Sequence, residues 1–98
     1  MILQGDTVRL KCHFKTFTGQ LIDPTDVKLT IYNSKKEQIE KFILDDTNKE
    51  NVGVYFYDYT PASELNEFIF EFAGSVNSKP ILSRGKVEVK LNLINRRS

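Results

Sequence analysis

The stretch GVYFYDYTP, residues 53–61, governs the interpretation of the whole chain. Tyrosine occupies every second position within it: Tyr55, Tyr57 and Tyr59. Because alternate residues of a β-strand point to the same face of a sheet, these side chains form either an exposed aromatic surface or part of the core. The opposite face ends in Asp58, which would be costly to bury without a partner. We therefore expect the tyrosines to face the core and Phe56 to be exposed as a candidate contact residue.

The same alternation recurs along the chain and predicts its fold class. It occurs in TVRLKCHF (7–14), VKLTIYN (27–33), IEKFIL (39–44), EFIFEFAG (67–74) and KVEVKLNL (86–93). Glycine, proline, asparagine and aspartate mark turns between these segments, and no segment has a helical period. The segment DDTNKENVG (45–53) is interpreted as a loop. The pattern predicts an all-β chain, an immunoglobulin-like or fibronectin III-like antiparallel β-sandwich of about seven strands.

The length and composition predict one folded domain. The chain has 98 residues, of which 40% are hydrophobic, enough for a single compact core. We assign residues 1–94 to this domain and residues 95–98 to a polar basic tail. The residues expected to be buried are Val8, Leu10, Cys12, Val27, Leu29, Ile31, Phe68, Phe70, Phe72, Val87 and Val89.

The charge balance and the cysteine count limit the possible partners and cellular location. Fourteen basic and thirteen acidic residues give a formal net charge of +1, so neither a nucleic acid nor a membrane is expected as the main partner. One cysteine permits no internal disulfide. No apolar run reaches the length of a signal peptide or of a membrane span. We therefore expect synthesis in a cytoplasm.

No constellation of residues specifies a reaction. Cys12 and the single histidine, His13, are adjacent and so point to opposite faces of a strand. They cannot act together as nucleophile and base, and one histidine does not make a typical zinc site. Motifs for phosphate binding or hydrolysis are absent, so we expect no enzyme activity, cofactor or metal. The basic face of the first strand is either a site for an acidic partner or a solvated face: Arg9, Lys11, His13 and Lys15.

Two oxygen-rich clusters and the C-terminus supply further candidate contact residues. Asp23 and Asp26 form one cluster, and the other contains Asp45, Asp46 and Asn48. Such clusters can hold calcium in loops, but neither has EF-hand spacing, and these residues are ordinary turn formers. Together with Phe56, both clusters and the terminal pair Arg96 and Arg97 are our candidate partner-binding residues.

Four segments resemble a known group of proteins: GDTVRLKCHF, GQLIDPTDVKLTIYN, NVGVYFYDYTP and EFIFEFAGS. Their layout is similar to that of small immunoglobulin-like structural proteins of tailed bacteriophages and prophages of low-GC Gram-positive bacteria. The resemblance extends from Gly5 to about Leu93, and its motifs are the turn-and-strand G-x-L-I-D-P-x-x-V, the strand G-x-Y-x-Y-x-Y-T-P and the closing F-x-F-x-F-x-G.

The resemblance implies a non-enzymatic virion protein that is bound in multiple copies at the capsid or the head–tail connector. Its partners would be other virion proteins of the capsid, portal, connector or tail, with self-association through repetition. The alternative from another class is a carbohydrate- or cell-surface-binding module, in which the tyrosines and Phe56 form a stacking platform.

Overall fold

A computed structural model describes residues 2–3, 5–62 and 65–90. The strands in these ranges are β1 (Ile2–Leu3), β2 (Val8–His13), β3 (Thr25–Tyr32), β4 (Gln38–Ile43), β5 (Lys49–Asn51), β6 (Val54–Tyr59), β7 (Glu67–Val76) and β8 (Lys79–Lys90). One 3₁₀ turn over Asp46–Asn48 is the sole helical element in this part of the chain. The all-β prediction is confirmed. The predicted number of about seven strands is not confirmed, because eight strands are present in the described ranges.

The strands form two sheets. The larger sheet has the order β1-β8-β7-β3-β4, and the smaller sheet has the order β2-β6-β5. Neighbouring strands are antiparallel except for β1 and β8, which are parallel. Buried side chains from both sheets form one hydrophobic cluster, an arrangement consistent with a β-sandwich.

The start of the last strand and the additional strand β5 are the largest differences from the sequence-based prediction. The last strand begins at Lys79 rather than Lys86, because a two-residue turn at Asn77 and Ser78 already returns the chain onto β7. Both turn residues have positive φ, 51° and 64°, as in the tight turns that connect twisted antiparallel strands. Strand β5 lies inside the segment 45–53 that the sequence predicts as a loop, and it pairs with β6. Residues 91–93 of the predicted last strand lie outside the described residues.

Most of the predicted core is buried, but three of its residues are not fully so. The buried residues are Leu10, Cys12, Val27, Leu29, Ile31, Phe68, Phe72 and Val89. Val8, Phe70 and Val87 are only partly buried and pack against the cluster. The ring of Phe70 lies across Gly85 of β8, where a Cβ atom would be 2.5 Å from its Cζ atom, and it remains partly accessible there.

The interpretation of the tyrosines is confirmed for two of the three. Tyr55 and Tyr59 are 5% and 3% exposed and belong to the core cluster. Tyr57 is partly buried and stacks on Phe42 of β4, with 4.4 Å between ring centroids. The β6 tyrosines therefore connect the smaller sheet to the larger one instead of presenting a stripe of rings to solvent.

Candidate protein-interaction surface

Four connections between strands meet at one end of the two sheets, which we call the loop end. They are residues 14–24 between β2 and β3, 44–48 between β4 and β5, 52–53 between β5 and β6, and 77–78 between β7 and β8. The backbone N–H of Phe14 donates to the carbonyl of Gly53 at 2.7 Å, and Gly74 is in close contact with Pro24. The first contact lies at the end of the smaller sheet and the second at the end of the larger sheet, and the chain segment 14–24 connects the two sheets.

The most prominent feature of the loop end is a small hairpin over residues 14–22. Lys15 and Leu21 form an antiparallel bridge, and the N–H of Thr16 donates to the carbonyl of Gln20 at 2.8 Å. The N–H of Gly19 donates to the carbonyl of Thr16 at 2.9 Å, and Gly19 has a φ of +90°. A tight turn followed by a left-handed glycine is a common hairpin connection, so the position of its tip is well defined.

Phe17 lies at the corner of this turn and is 106% exposed. Its neighbour Phe14, at the base of the hairpin, is 1% exposed and packs edge to face with Tyr55 at 5.8 Å. The base therefore anchors the hairpin in the core, while its tip holds a large aromatic side chain in solvent. The fold does not need an aromatic residue at this corner, since the ring contributes nothing to the core.

An open groove of about 410 Å³ lies between the hairpin and the start of β8. Its apolar surface comes from Phe17 and from Ile22, Val76, Pro80 and Ile81. Two lysines also line it, Lys15 from the hairpin and Lys79 from β8. Phe17 is thus one of five apolar residues that line the same open groove.

Asp23 connects its own turn to β5 and to the turn before β6. Its carboxylate accepts hydrogen bonds from Lys49 Nζ at 2.7 Å and from the N–H of Gly53 at 2.6 Å. The bond from Lys49, followed by that from Gly53, lowers the pKa of Asp23. The structure therefore brings the turn at Asp23–Asp26 together with the segment 45–53, and it uses Asp23 to hold them. Asp26 is exposed, with a φ of +54°.

In the second cluster, the side chains of Asp45 and Asn48 accept hydrogen bonds from backbone N–H groups of the same segment. Asp45 Oδ1 accepts from the N–H of Thr47 at 2.9 Å, and Asn48 Oδ1 accepts from the N–H of Asp45 at 3.2 Å. This reciprocal pattern is a capping box, and it lowers the pKa of Asp45, chiefly through the hydroxyl of Thr47. Asp46 is exposed. No group of three or more acidic, histidine or cysteine side chains that could hold a metal ion occurs in the described ranges.

Phe56 is only partly exposed, and not fully exposed as the sequence predicts, because Arg9 covers its ring. The guanidinium carbon of Arg9 lies 4.1 Å from the centroid of the Phe56 ring, and the side chain is only partly exposed. Arg9 also donates to both carboxylate oxygens of Asp58, at 2.8 and 3.1 Å, and these bonds lower the pKa of Asp58. The cation–π contact and the bidentate ion pair hold Arg9 flat across the sheet.

The basic face of β2 is neutralised along most of its length. Besides the pair of Arg9 and Asp58, Lys11 Nζ lies 3.0 Å from Glu50 Oε1, and the hydrogen bond from Lys11 lowers the pKa of Glu50. These pairs favour the interpretation of a solvated face over that of a site for an acidic partner. Lys15 differs, since it leaves the sheet and lines the groove at the loop end.

A second cavity, of about 290 Å³, lies on the outer face of the larger sheet. Tyr32, Lys36, Ile69 and Arg84 line it. Two of its polar side chains are already engaged: Tyr32 Oη donates to Glu71 at 3.3 Å, and Arg84 Nε donates to the same carboxylate at 3.0 Å. The loop-end groove therefore offers the better surface for a partner.

The reactive groups of the interior are held in unreactive forms. Burial raises the pKa of the Cys12 thiol to about 12. Burial, together with a hydrogen bond donated to Glu40, raises the pKa of Tyr59. A thiol in this state is a small hydrophobic side chain rather than a nucleophile.

No family model, curated protein or solved structure matches this chain. Within the described residues there is no helix of the length and apolarity needed to cross a membrane.

Arg96 and Arg97, with the rest of the tail, lie outside the described residues. Phe17 is not among the contact residues that the sequence predicts. The signal that could have found it is an aromatic residue at a turn corner two positions before a glycine, in T-F-T-G.

Proposed function

We propose that this chain is a non-enzymatic structural protein of a virion, an immunoglobulin-like module that attaches in multiple copies at the capsid or head–tail connector. The attachment surface is the loop end. The observation that carries this proposal is Phe17, a fully exposed aromatic side chain at the tip of a hydrogen-bonded hairpin and on the wall of an apolar groove. The virion setting comes from the resemblance of the four sequence segments.

The strand order supports the immunoglobulin-like part of the proposal. The smaller sheet, β2-β6-β5, corresponds to strands B, E and D of an immunoglobulin domain. In the larger sheet, β8-β7-β3-β4 corresponds to G, F, C and C′ of a variable-type domain. In such domains the B–C and F–G connections at one end of the sheets take part in recognising partners, and residues 14–24 and 77–78 of the loop end are the equivalent connections.

A surface of this kind suits a repeated component. Burial of one phenylalanine side chain stabilises a contact by about 1.5–3 kcal/mol, which alone gives weak attachment. Repetition on a symmetric particle multiplies such contacts into firm binding. Aromatic residues also dominate the energetics of protein interfaces when they are central and become fully buried.

The alternative of a carbohydrate-binding module loses its proposed platform. Tyr55 and Tyr59 are buried, and Tyr57 is stacked on Phe42. The outward ring of Phe56 is covered by Arg9. A flat aromatic surface for a sugar ring is therefore missing from β6, where that alternative requires it.

The proposal is tested on particles released after prophage induction of the source strain. We expect this chain in a mass-spectrometric inventory of purified particles, and cryo-electron microscopy should place its loop end against a neighbouring protein. Particles that lack the chain would overturn the virion setting.

A pair of variants then tests the surface. Phe17→Ser should reduce the copy number on particles at least fivefold. Ile43→Ser is the matched control, because Ile43 is also a large exposed apolar residue, 71% exposed, but does not line the groove. Equal copy numbers for both variants would contradict attachment through the loop end.

A further inference from the structure

We propose that the loop-end groove binds a segment of the partner protein in which apolar side chains are flanked by carboxylates. This inference rests on the proposed attachment through the loop end and deepens it, since it specifies the chemistry of the partner. The inference depends on the charge of the groove, which is positive, whereas the basic residues Arg9 and Lys11 on the β2 face are paired with carboxylates.

The two lysines of the groove are not neutralised by an acidic side chain of the described residues, in contrast to the cations of the β2 face. Arg9, Lys11, Lys49, Arg84 and Lys86 each pair with a carboxylate. Neither Lys15 nor Lys79 is in an ion pair with a described residue, and no acidic residue is among the described residues that line the groove. The groove therefore has a local charge of +2 on a chain whose net charge is +1.

The positions of the lysines determine where carboxylates would bind. Lys15 belongs to the hairpin wall and Lys79 to the β8 wall, so the cations come from the two sides of the apolar surface. An apolar side chain seated against Ile22 and Pro80 would bring its flanking residues towards these ammonium groups. A basic segment would instead place like charges together, which opposes binding. The charge pattern thus selects an acidic partner, and the apolar surface gives the affinity.

The test measures peptide binding to the full chain by fluorescence anisotropy. The probe is a fluorescein-labelled ten-residue peptide with four central leucines and three flanking acidic residues on each side. Two comparison peptides replace either the acidic residues by lysine or the leucines by serine. We expect the acidic leucine peptide to bind at least tenfold more tightly than either, and its affinity to fall as salt is raised from 50 to 300 mM.

Matched double variants assign the effect to the groove. Lys15→Glu with Lys79→Glu should weaken binding of the acidic leucine peptide at least tenfold. Lys28→Glu with Lys41→Glu changes the net charge equally on the outer face of the larger sheet, and should weaken it no more than twofold. Equal losses in the two double variants, or equal affinity for the lysine peptide, would overturn the inference.

Particle attachment separates this inference from the function on which it rests. If Phe17→Ser detaches the protein but the Lys15→Glu and Lys79→Glu double variant stays attached, the loop end is the interface and the acidic partner is refuted. If neither variant affects attachment, both proposals fail. Detachment by both variants, with the Lys28→Glu and Lys41→Glu control retained, supports both.

Discussion

Replacement of Gly53 by alanine tests how tightly the loop end is held together. Gly53 has a φ of +70°, and a Cβ atom there would lie 2.9 Å from the N and O atoms of Ile22 and from the O atom of Phe14. The left-handed conformation costs a non-glycine residue about 1–2 kcal/mol. Extra volume in a packed site costs about 1–3 kcal/mol more. The contacted atoms are backbone atoms joined by the hydrogen bond from Ile22 N to Phe14 O, so they cannot rotate away.

We therefore expect Gly53→Ala to lower the free energy of unfolding by about 2–5 kcal/mol. Gly19→Ala is the matched control, because Gly19 has a φ of +90° but no atom within 4 Å of the added Cβ. The free energy of unfolding of Gly19→Ala should fall by about 1–2 kcal/mol, which is the conformational cost alone. Urea titrations followed by circular dichroism measure both losses. If the two variants differ by less than about 0.5 kcal/mol, the typical scatter of neutral surface substitutions, the packing argument is wrong.

Phe72→Ala should lower the free energy of unfolding by about 3–5 kcal/mol because its ring is fully buried, whereas Phe17→Ala should change it by less than about 0.5 kcal/mol in the same urea titrations. The pKa of Cys12 is raised to about 12, so iodoacetamide at pH 8 should label the native chain far more slowly than the urea-unfolded chain, and equal rates would mean that β2 exposes this thiol. The pKa of Asp23 is lowered, mainly by Lys49, so its carboxylate stabilises the fold at neutral pH and ceases to do so as the pH falls through about 4 and below. Asp23→Asn should therefore reduce the melting temperature at pH 7 and shrink the further drop between pH 7 and pH 3; an unchanged drop would contradict this role.

Hydrophobic alternation predicted the strands that bury one face. The segment containing Leu10 and Cys12 and the one containing Phe68 and Phe72 form β2 and β7 within a few residues of the expected bounds. Strand β5 could not be predicted, since its sequence KEN has no apolar residue and becomes extended through pairing with β6. The early start of β8 was hidden by Pro80 and Gly85, which locally indicate a turn. Pairing with β7 overrides that local signal.

The candidate surface was less predictable because its residues are brought together by strand register. Asp23 and Lys49 are 26 positions apart, and only the fold makes them neighbours. Arg9 covers Phe56 because β2 and β6 pair Arg9 with Asp58, a register that alternation alone does not specify. The turn containing Phe17 could be predicted from Gly19, but the exposure of its corner could not. Sequence patterns therefore predicted the buried residues of this chain better than the contacts between side chains on its surface.

In the hairpin over residues 14–22, the residues that anchor it in the core differ from the exposed residue proposed to contact a partner. Its base is held by Phe14 in the core and by the bridge between Lys15 and Leu21, while Phe17 touches none of the core. The tip can therefore diversify in sequence and length under selection for a new partner, because lengthening a loop twofold costs only about 0.6 kcal/mol. The same separation makes the domain a scaffold for display: a foreign peptide grafted between Lys15 and Leu21 would be presented on a folded support without redesign of its interior.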